Sequence, residues 1–600
     1  DSGDWHAEKR ISGIWKAGQR HRVTLTCNMP VAAGPNDRVS IQVSTPGRAW
    51  PVTFASGSNC MKARVKGLQR AWKTGYTDIR NYDEFEIVVD NPGKGCVRVP
   101  FLLDLSRPAN ITGLCPILCD EDGVPTGIPI QLSKNWHYRE LGAYLGAYTL
   151  LPASPGKSRY KLRIAYGFYG TLPSASHAQL SLVGWGRNGR WDQLAIGCWG
   201  ETMCLDMDMS ATDIAITDVR MLMTRNGPKG RKWSWTDAGW GGDWLGVRDA
   251  SGNKLAFTEM KTAYLSHGPC LTEARYNGCY GPHREADVAA TVRTLRTDDY
   301  ARTFHMLNYQ FRRELSAEKA WLFKMGRTGS LVTPRIAYGN EAGLIIEQEV
   351  PLNLKPDELF VNKTALSGEA PWWVAFPGAF HINGKNWGTG SRALVIRSYR
   401  ASFGGRTQNR PTISMPVHKV QKDGRSDLDL LLVPPEGVTQ FRPGDKVEMD
   451  LEWITLPRVA DDYYGPNEAF RTHLALNPRS WKTVYREAKG NDLSVAAEGG
   501  VVTGTYPIII QASQPKVIVE IRGGVGAVPI RFDGLETSSS YALYRDFNGQ
   551  RVPLDQSVHG NDYWQTDYDA ASNTFRMSFN LPLDGIESSR WVFEQTNHSN

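Results

Sequence analysis

The chain has 600 residues, of which 41% are hydrophobic, 22% charged and 10% aromatic. This is the composition of a globular protein, and it excludes the fibrous and low-complexity classes. The 69 basic and 62 acidic side chains give a net charge of +7 without blocks of Lys and Arg, so we expect no nucleic-acid partner. No apolar stretch approaches the ~18 residues that a membrane span needs, and no span is expected.

Alternation of apolar and polar residues dominates the chain and predicts β-strands. Three examples are RVSIQVST at 38–45, YKLRIAY at 160–166 and VIVEIRG at 517–523. Between such segments lie Asp-Gly and Asn-Gly pairs, including Asn548-Gly549, which favour tight hairpin turns because these residues tolerate a positive φ. The sequence therefore predicts an all-β fold of antiparallel β-sandwiches.

One segment, residues 464–490, has helical spacing of its apolar residues instead. Pro466 and Pro478 lie where a first helical turn would begin, Asn477 is a candidate N-cap, and Gly490 is a candidate for the position after a helix end. We predict two short helices here, and they are the only substantial helices that we expect in the chain.

The helices separate regions that we expect to fold differently. The predicted body is supersandwich-like and consists of two antiparallel β-sandwich regions, and an immunoglobulin-like accessory sandwich follows the helices. The predicted boundaries are 1–245 for the first region, which contains a cluster of Trp and carboxylates, 246–463 for the second, 464–490 for the helical linker and 491–600 for the accessory sandwich.

The nine cysteines all precede residue 280, and two close pairs, Cys198/Cys204 and Cys270/Cys279, could each close a hairpin or short loop. The chain starts at DSGDWH without a Met, as expected for an exported protein after removal of its signal peptide. We therefore expect a secreted or periplasmic protein with one or two disulfides. Buried free cysteines are the alternative.

Motifs for common cofactors are missing or out of context. GWGRNG at 184–189 matches the GxGxxG pattern, but no helix signal follows it, so a glycine-rich turn explains it better than a dinucleotide site. The cysteines lack zinc-ligand spacing. We expect no cofactor and no catalytic metal. A structural calcium ion at Asp206 and Asp208 is possible from their shared strand face, although solvent-facing carboxylates would look the same.

Tryptophan is concentrated in one third of the chain, and WSWTDAGWGGDW at 233–244 is its densest part. The spacing there fits neither a helix nor a strand, so we predict an open loop whose indole rings stack on sugar rings. The alternative is that these rings fill the seam between two sandwiches. The predicted substrate contacts, which are aromatic or polar side chains from this third, are Trp136, His137, Arg139, Trp191, Trp199, Trp233, Trp235 and Trp240.

Several stretches resemble large exported β-proteins of polysaccharide-degrading bacteria. They are GIPIQLSKNWH at 127–137, SHAQLSLVGWG at 176–186, WDQLAIGCWGE at 191–201, YYGPNEAF at 463–470 and the segment 534–568. The resemblance implies glycan degradation by context and supplies no catalytic motif.

The predicted function is a carbohydrate-active enzyme, a glycoside hydrolase. Hydrolysis needs one protonated and one ionised carboxyl group across the scissile bond. Apolar rings around a carboxyl raise its pKa, so the acids among the Trp are candidates. We predict Glu201 as the proton donor and Asp237 or Asp243 as its partner. Asp192 and His177 are further candidates.

Three alternatives remain open. A polysaccharide lyase acting by β-elimination on a uronate-containing glycan would need a base such as His137 or His177 and a cation such as Lys134 or Arg139. A glycan-binding protein would need the aromatic rings and no acid or base. In a structural surface protein, the clustered Trp would belong to the core.

Overall fold

The structure of the protein is a computed structural model. It describes residues 24–25, 37–45, 48–50, 53–54, 59–69, 82–91, 97–107, 111–122, 131–135, 143–168, 180–183, 193–196, 202–204, 215–219, 222–227, 230–235, 240–248, 251, 253–267, 271–295, 301–326, 331–381, 389–457, 460, 468–536, 541–554, 564–569, 572–585 and 588–595.

Strands dominate these residues, as the alternating sequence predicts. In the first part of the chain they are β1 (Thr24–Leu25), β2 (Asp37–Thr45), β3 (Arg48–Trp50), β4 (Thr53–Phe54), β5 (Asn59–Gln69), β6 (Tyr82–Asn91), β7 (Val97–Arg107), β8 (Ile111–Cys119), β9 (Gln131–Asn135), β10 (Ala143–Ala153), β11 (Gly156–Phe168), β12 (Leu180–Val183), β13 (Gln193–Ile196), β14 (Thr202–Cys204), β15 (Ile216–Val219), β16 (Leu222–Gly227), β17 (Gly230–Trp235) and β18 (Trp240–Asp243).

The middle of the chain adds a second series of strands. They are β19 (Phe257–His267), β20 (Leu271–Tyr280), β21 (Ala286–Leu295), β22 (Ala301–Phe311), β23 (Leu315–Ser316), β24 (Phe323–Gly326), β25 (Leu331–Val332), β26 (Arg335–Asn340), β27 (Gly343–Glu349), β28 (Leu359–Ala365), β29 (Trp372–His381), β30 (Thr389–Phe403), β31 (Arg406–Gln408), β32 (Thr412–Val420), β33 (Ser426–Leu428), β34 (Leu430–Val433), β35 (Gln440–Phe441) and β36 (Lys446–Pro457).

Two helices and ten strands complete the chain. The helices are α1 (Glu468–Leu476) and α2 (Ser480–Ala488). The strands are β37 (Ser494–Glu498), β38 (Gly500–Thr505), β39 (Ile508–Ala512), β40 (Lys516–Arg522), β41 (Val525–Leu535), β42 (Tyr541–Phe547), β43 (Gln550–Pro553), β44 (Trp564–Asp569), β45 (Thr574–Asp584) and β46 (Ser589–Gln595).

The body is built on two large sheets with a shared core. One sheet has thirteen strands in the order β28-β32-β34-β24-β18-β15-β14-β13-β12-β9-β10-β7, with β33 on β32. The other has eleven, with β19-β20-β21-β22-β36-β30-β29-β26-β27 as its main path. Alternate side chains of both sheets, such as Met325 and Leu430 from the first and Tyr309 and Trp453 from the second, are buried in one cluster. The predicted all-β sandwich class is confirmed.

The strands β34, β24 and β18 lie side by side in the thirteen-stranded sheet and position the site described below. Lys324 of β24 is directly opposite Asp243 of β18, and Met325 is opposite Leu430 of β34. Because β18 pairs with β24, this sheet crosses the predicted boundary between residues 245 and 246.

The two predicted helices are confirmed, and they cover the outer face of the eleven-stranded sheet. Phe470 of α1 and Val484 of α2 are buried against Trp373 and Ile454 of that sheet. This apolar packing stabilises helices of nine residues, which would be marginal alone.

The predicted role of Asn477 as an N-cap is wrong. The N-cap of α2 is Arg479, which makes no side-chain capping hydrogen bond. The backbone N–H and the side-chain amide of Asn477 both donate to the carbonyl oxygen of His473, at 2.9 and 3.0 Å, so Asn477 closes the end of α1. Gly490 follows α2 with φ of +74°, as predicted for the residue after a helix end.

His473 makes the stability of the helical segment dependent on pH. Burial, followed by the nearby Arg486, lowers the pKa of His473 to about 4 from its ordinary value of 6.5. The unfolded chain therefore binds this proton more readily than the folded chain. As pH falls through the unfolded pKa toward 4, the free energy of unfolding should decrease. Urea unfolding from pH 7 to pH 4 should show a smaller decrease in His473→Gln; equal slopes in both proteins would contradict this.

The last hundred residues form a two-sheet sandwich with a separate core. Its sheets have five strands each, in the orders β37-β40-β46-β42-β43 and β38-β39-β41-β45-β44. Val519, Phe532, Phe579 and Phe593 from both sheets meet between them. The hairpin of β42 and β43 turns at Asn548-Gly549, where both residues have the predicted positive φ, 51° and 80°.

The proposed Cys270–Cys279 disulfide is wrong. Cys279 is a buried free thiol whose sulfur lies 2.9 Å from the hydroxyl of Thr258. The Cys198/Cys204 pairing stays a prediction, since Cys198 is outside the described residues.

Within the described ranges, neither helix has the length and the apolar run needed to cross a membrane.

Candidate functional site

Most of the predicted site residues are outside the described part of the chain. This holds for eight of them, namely Trp136, His137, Arg139, His177, Trp191, Asp192, Trp199 and Glu201, and also for Asp237. The backbones of Trp233 and Trp235 lie in β17 and that of Trp240 begins β18, but their side chains are outside the description. Asp206 and Asp208, the suggested calcium ligands, are outside it as well. The predicted roles of all these residues stay predictions.

The prediction of one long loop over 233–244 is wrong. Residues 230–235 form β17, which pairs with β16, and residues 240–243 form β18 between β15 and β24. The glycines explain why the sequence pattern is irregular. A Cβ on Gly242 would lie 2.7 Å from both the Lys324 carbonyl oxygen and the Trp453 ring, so only glycine fits this close contact between strands.

Asp243 ends β18 and is fully buried, whereas the sequence predicts a mobile loop for it. Its carboxylate forms an ion pair with the ammonium of Lys254, which is itself almost buried. The same carboxylate accepts hydrogen bonds from the backbone N–H groups of Ala215, at 3.1 Å, and Trp244, at 3.0 Å. Asp243 therefore ties three chain segments together, and its burial separates it from any polymer at the surface.

The side chains behind Asp243 form a buried polar cluster. The Trp244 indole N–H donates to Nδ1 of His305 at 3.4 Å, and the backbone N–H of Leu245 donates to the hydroxyl of Tyr280 at 3.2 Å. Burial raises the pKa of Tyr280 well above 10, and the neighbouring Tyr309 and Asp243 add to this. The tyrosine therefore stays protonated and neutral. Trp244 belongs to the core, as the alternative interpretation of the Trp cluster predicts.

Trp321, which no pattern in the sequence singles out, lies beside Lys254, the partner of Asp243. Trp321 and Gly246 exchange two backbone hydrogen bonds of 2.9 and 3.0 Å, and the indole lies across Gly246, where a Cβ would come within 2.0 Å of the ring. The side chain is half-buried. The ammonium groups of Lys254 and Lys324 lie 6.0 and 5.7 Å from the ring centre. Both ammonium groups lie over the ring, which is the placement of a cation–π contact.

Lys324 connects this ring to a second carboxylate. Its ammonium lies 2.5 Å from Oδ2 of Asp429, and Nδ1 of His418 lies 3.7 Å from the same oxygen. The Asp429 side chain is 5% exposed, while that of His418 is 32% exposed. Gly326 makes room for this arrangement, because a Cβ there would lie 1.9 Å from the Asp429 carboxylate.

The lysine–tryptophan site, as we name the group of Lys254, Trp321, Lys324, His418 and Asp429, comes from four separate parts of the chain. Its members sit on or beside β18, β24, β32 and β34. Two signals in the sequence point to it: the alternating LFKMG at 322–326 and the carboxylates in the apolar run SDLDLLLV at 426–433. Neither signal shows that the two segments are neighbours.

Chemically, the site offers an aromatic face, two ammonium groups, an accessible imidazole and buried carboxylates. Asp243 and Asp429 are buried and each contacts a lysine ammonium, so they are placed to hold cations rather than to reach a substrate. Among the described residues, no three His, Cys, Asp or Glu side chains are placed to bind a metal ion together.

No family model and no curated protein matches the sequence. Among solved structures, the chain is similar to the galactosidase domain of alpha-galactosidase-sucrose kinase, AgaSK, with a TM-score of 0.23 and 9% sequence identity. The matched part covers 48% of this chain and 40% of that chain. A similarity this weak carries no argument about activity.

Proposed function

We propose that the protein is an exported carbohydrate-active enzyme that cleaves a polysaccharide. The observation that carries the proposal is Trp321, a half-buried indole with ammonium groups 5.7 and 6.0 Å from its ring centre and a buried carboxylate paired with each cation. Sugar rings present C–H groups that stack on an aromatic face and hydroxyls that bind charged groups. The lysine–tryptophan site supplies both kinds of contact in one place.

The position of the site in the fold supports the same conclusion. β18, which leads into this site, is the second half of the Trp-rich segment 233–244, from which the sequence analysis predicts saccharide contacts. β18 is also in the same sheet as β13 and β14, which flank Glu201 in the sequence. A polymer bound at Trp321 could extend along this sheet toward the predicted acids.

Glycoside hydrolysis is the chemistry that the sequence favours, with Glu201 as the proton donor. Because Asp243 and Asp429 each pair with a lysine, the donor in a hydrolase would come from Glu201, Asp237 or Asp192. Elimination is the second candidate. The observation that favours it is an exposed His418 beside Lys324 and Asp429, since elimination uses a base and a cation.

Replacing Trp321 by Ala should weaken binding of the polysaccharide that the protein cleaves by about 0.5–1.5 kcal/mol, the contribution of an aromatic contact. Titration calorimetry with an oligosaccharide of that polymer measures the change. Trp321→Phe retains a ring and should lose less.

A matched control is Trp481→Ala. Trp481 belongs to α2, and its half-buried indole stacks on Trp373. It should leave oligosaccharide affinity unchanged. Equal affinities in Trp321→Ala and the unaltered protein would exclude Trp321 as a binding surface. Binding without release of reducing ends would instead identify a glycan-binding protein.

A further inference from the structure

We propose that Lys324, Asp429 and His418 bind a uronate residue of an acidic polysaccharide and remove a proton from it, so that the chain is cleaved by β-elimination. This inference rests on the proposed function and names the substrate class and the chemistry of the same site. The three residues come from β24, the connection between β33 and β34, and β32, which are neighbours in one sheet.

The first step of the argument is the placement of the imidazole. His418 is exposed, and the carboxylate of Asp429 lies behind it, 3.7 Å from Nδ1 and almost fully buried. A carboxylate beside one nitrogen of an accessible imidazole is the arrangement in which histidines act as general bases. His418 thus has the surroundings of a group that accepts a proton from a ligand.

The second step is the placement of the cations. The Lys324 ammonium contacts Asp429 at 2.5 Å and lies 5.7 Å from the centre of the Trp321 ring. Because this ammonium lies over the indole ring, a sugar that contacts the accessible part of Trp321 also meets a positive charge. A carboxylate substituent on that sugar is the group that gains most from this cation. Lys254, at 6.0 Å from the same ring centre, provides a second positive charge.

The third step is the balance of the reaction. His418 takes the proton from the carbon that bears the uronate carboxylate, and the electron pair of that C–H bond forms a carbon–carbon double bond to the next ring carbon. The bond from that carbon to the glycosidic oxygen breaks, and the oxygen leaves with its electron pair. It takes a proton from the His418 imidazolium or from water. No oxidant or reductant is required, and the products are an unsaturated uronate and a new hydroxyl end.

Lys324 has a defined part in this step. Loss of the proton places negative charge on the uronate carboxylate, and a cation beside that carboxylate stabilises the charge as it develops. Asp429 is almost fully buried and its carboxylate contacts Lys324, so it is not placed to reach a glycosidic oxygen as the acid of a hydrolase, which favours elimination at this site.

The experiment uses the full chain and a uronate polymer, such as polygalacturonate or alginate, together with the same polymer after reduction of its carboxylates to alcohols. Cleavage is followed by reducing ends and by the ultraviolet absorbance of the unsaturated product. We expect the unaltered protein to cleave the uronate polymer with new absorbance and to leave the carboxyl-reduced polymer intact.

The variant His418→Gln should lower the rate by about 10²-fold or more, the usual contribution of a general base, with oligosaccharide binding retained. His283→Gln is the matched control, because His283 is an exposed histidine on a turn elsewhere in the protein. Lys324→Met should raise KM for the uronate polymer. Since that change affects a buried ion pair and the variant could unfold, the inference is decided on His418, which is at the surface.

The inference would be overturned by full activity of His418→Gln, by cleavage without ultraviolet absorbance, or by equal cleavage of the carboxyl-reduced polymer. In the last two cases, the proposed function would stand and the uronate chemistry would fail. If neither the uronate polymers nor any neutral polysaccharide were cleaved, the proposed function would fail too. A sulfated neutral polysaccharide tests whether the site binds sulfate groups rather than carboxylates. Cleavage of this polymer in place of the uronate polymer would also overturn the inference.

Discussion

Replacing Glu452 by Gln is expected to lower the free energy of unfolding by about 3–5 kcal/mol, the usual cost of removing one partner of a buried ion pair. Glu452 is fully buried on β36 and contacts two arginines, Arg302 of β22 and Arg397 of β30. Arg302 is also fully buried and reaches Glu487 of α2 at 3.1 Å. Without the Glu452 charge, the buried positive charges of Arg302 and Arg397 would be balanced less completely, with Glu487 as the remaining carboxylate partner of Arg302.

The network affects more than the sheet that contains it. The guanidinium of Arg302 stacks on Tyr506 of the C-terminal sandwich, 4.0 Å from the ring centre, and Arg397 donates to the backbone carbonyl of Glu487 at 2.9 Å. The body, α2 and the C-terminal sandwich thus meet at these charges. We expect the Glu452→Gln variant to lose stability in all three parts at once.

Urea unfolding monitored by tryptophan fluorescence measures the change. The control is Glu520→Gln, which removes a carboxylate paired with Arg590 at 3.3 Å where both side chains are about half exposed. An exposed pair contributes less than about 1 kcal/mol. If the two variants lost equal stability, the buried network would have no special role.

Replacing Lys254 by Met should also lower the free energy of unfolding by about 3–5 kcal/mol. Methionine fills a similar volume but removes the ammonium that pairs with the fully buried Asp243 carboxylate. A buried carboxylate that loses its cation has to be protonated or resolvated, and both cost free energy.

The double variant with Asp243→Asn and Lys254→Met tests the cause of that loss. Asparagine retains a side-chain oxygen for the N–H groups of Ala215 and Trp244, and no uncompensated charge remains. We expect the double variant to be more stable than Lys254→Met alone. Asp243→Asn should also cleave polysaccharide at nearly the rate of the unaltered protein. Loss of cleavage by a stably folded Asp243→Asn variant would restore the predicted catalytic role of Asp243.

The fold class could be predicted because the alternating pattern of the strands and the residue types of the turns favour the same structure. Alternation in VIVEIRG places Val517, Val519 and Ile521 on the buried face of β40, and Asn548-Gly549 forms the turn that its residue types favour. The helices were predictable for the same reason. Their caps were not, because Asn477 can end one helix as well as begin the next, and packing decides between these outcomes.

The site was only partly predictable, because it depends on neighbours that are distant in sequence. Clustering of Trp drew attention to residues 233–244, yet Gly242 and Trp244 in that segment serve close packing of the core. Trp321 and Lys324 share one segment and Asp429 lies in another, and only the pairing of β24 with β18 and β34 brings them to Lys254. A period-two pattern gives the face on which a residue lies but not the strand next to it.

The most direct test of the central claim is incubation of the purified full chain with a panel of neutral and uronate-containing polysaccharides, followed by assay of new reducing ends and ultraviolet absorbance. We predict release of reducing ends from at least one polysaccharide, accompanied by ultraviolet absorbance when the substrate is a uronate polymer. Absence of both release and binding across the panel, with a folded protein, would contradict the claim that this protein acts on polysaccharides.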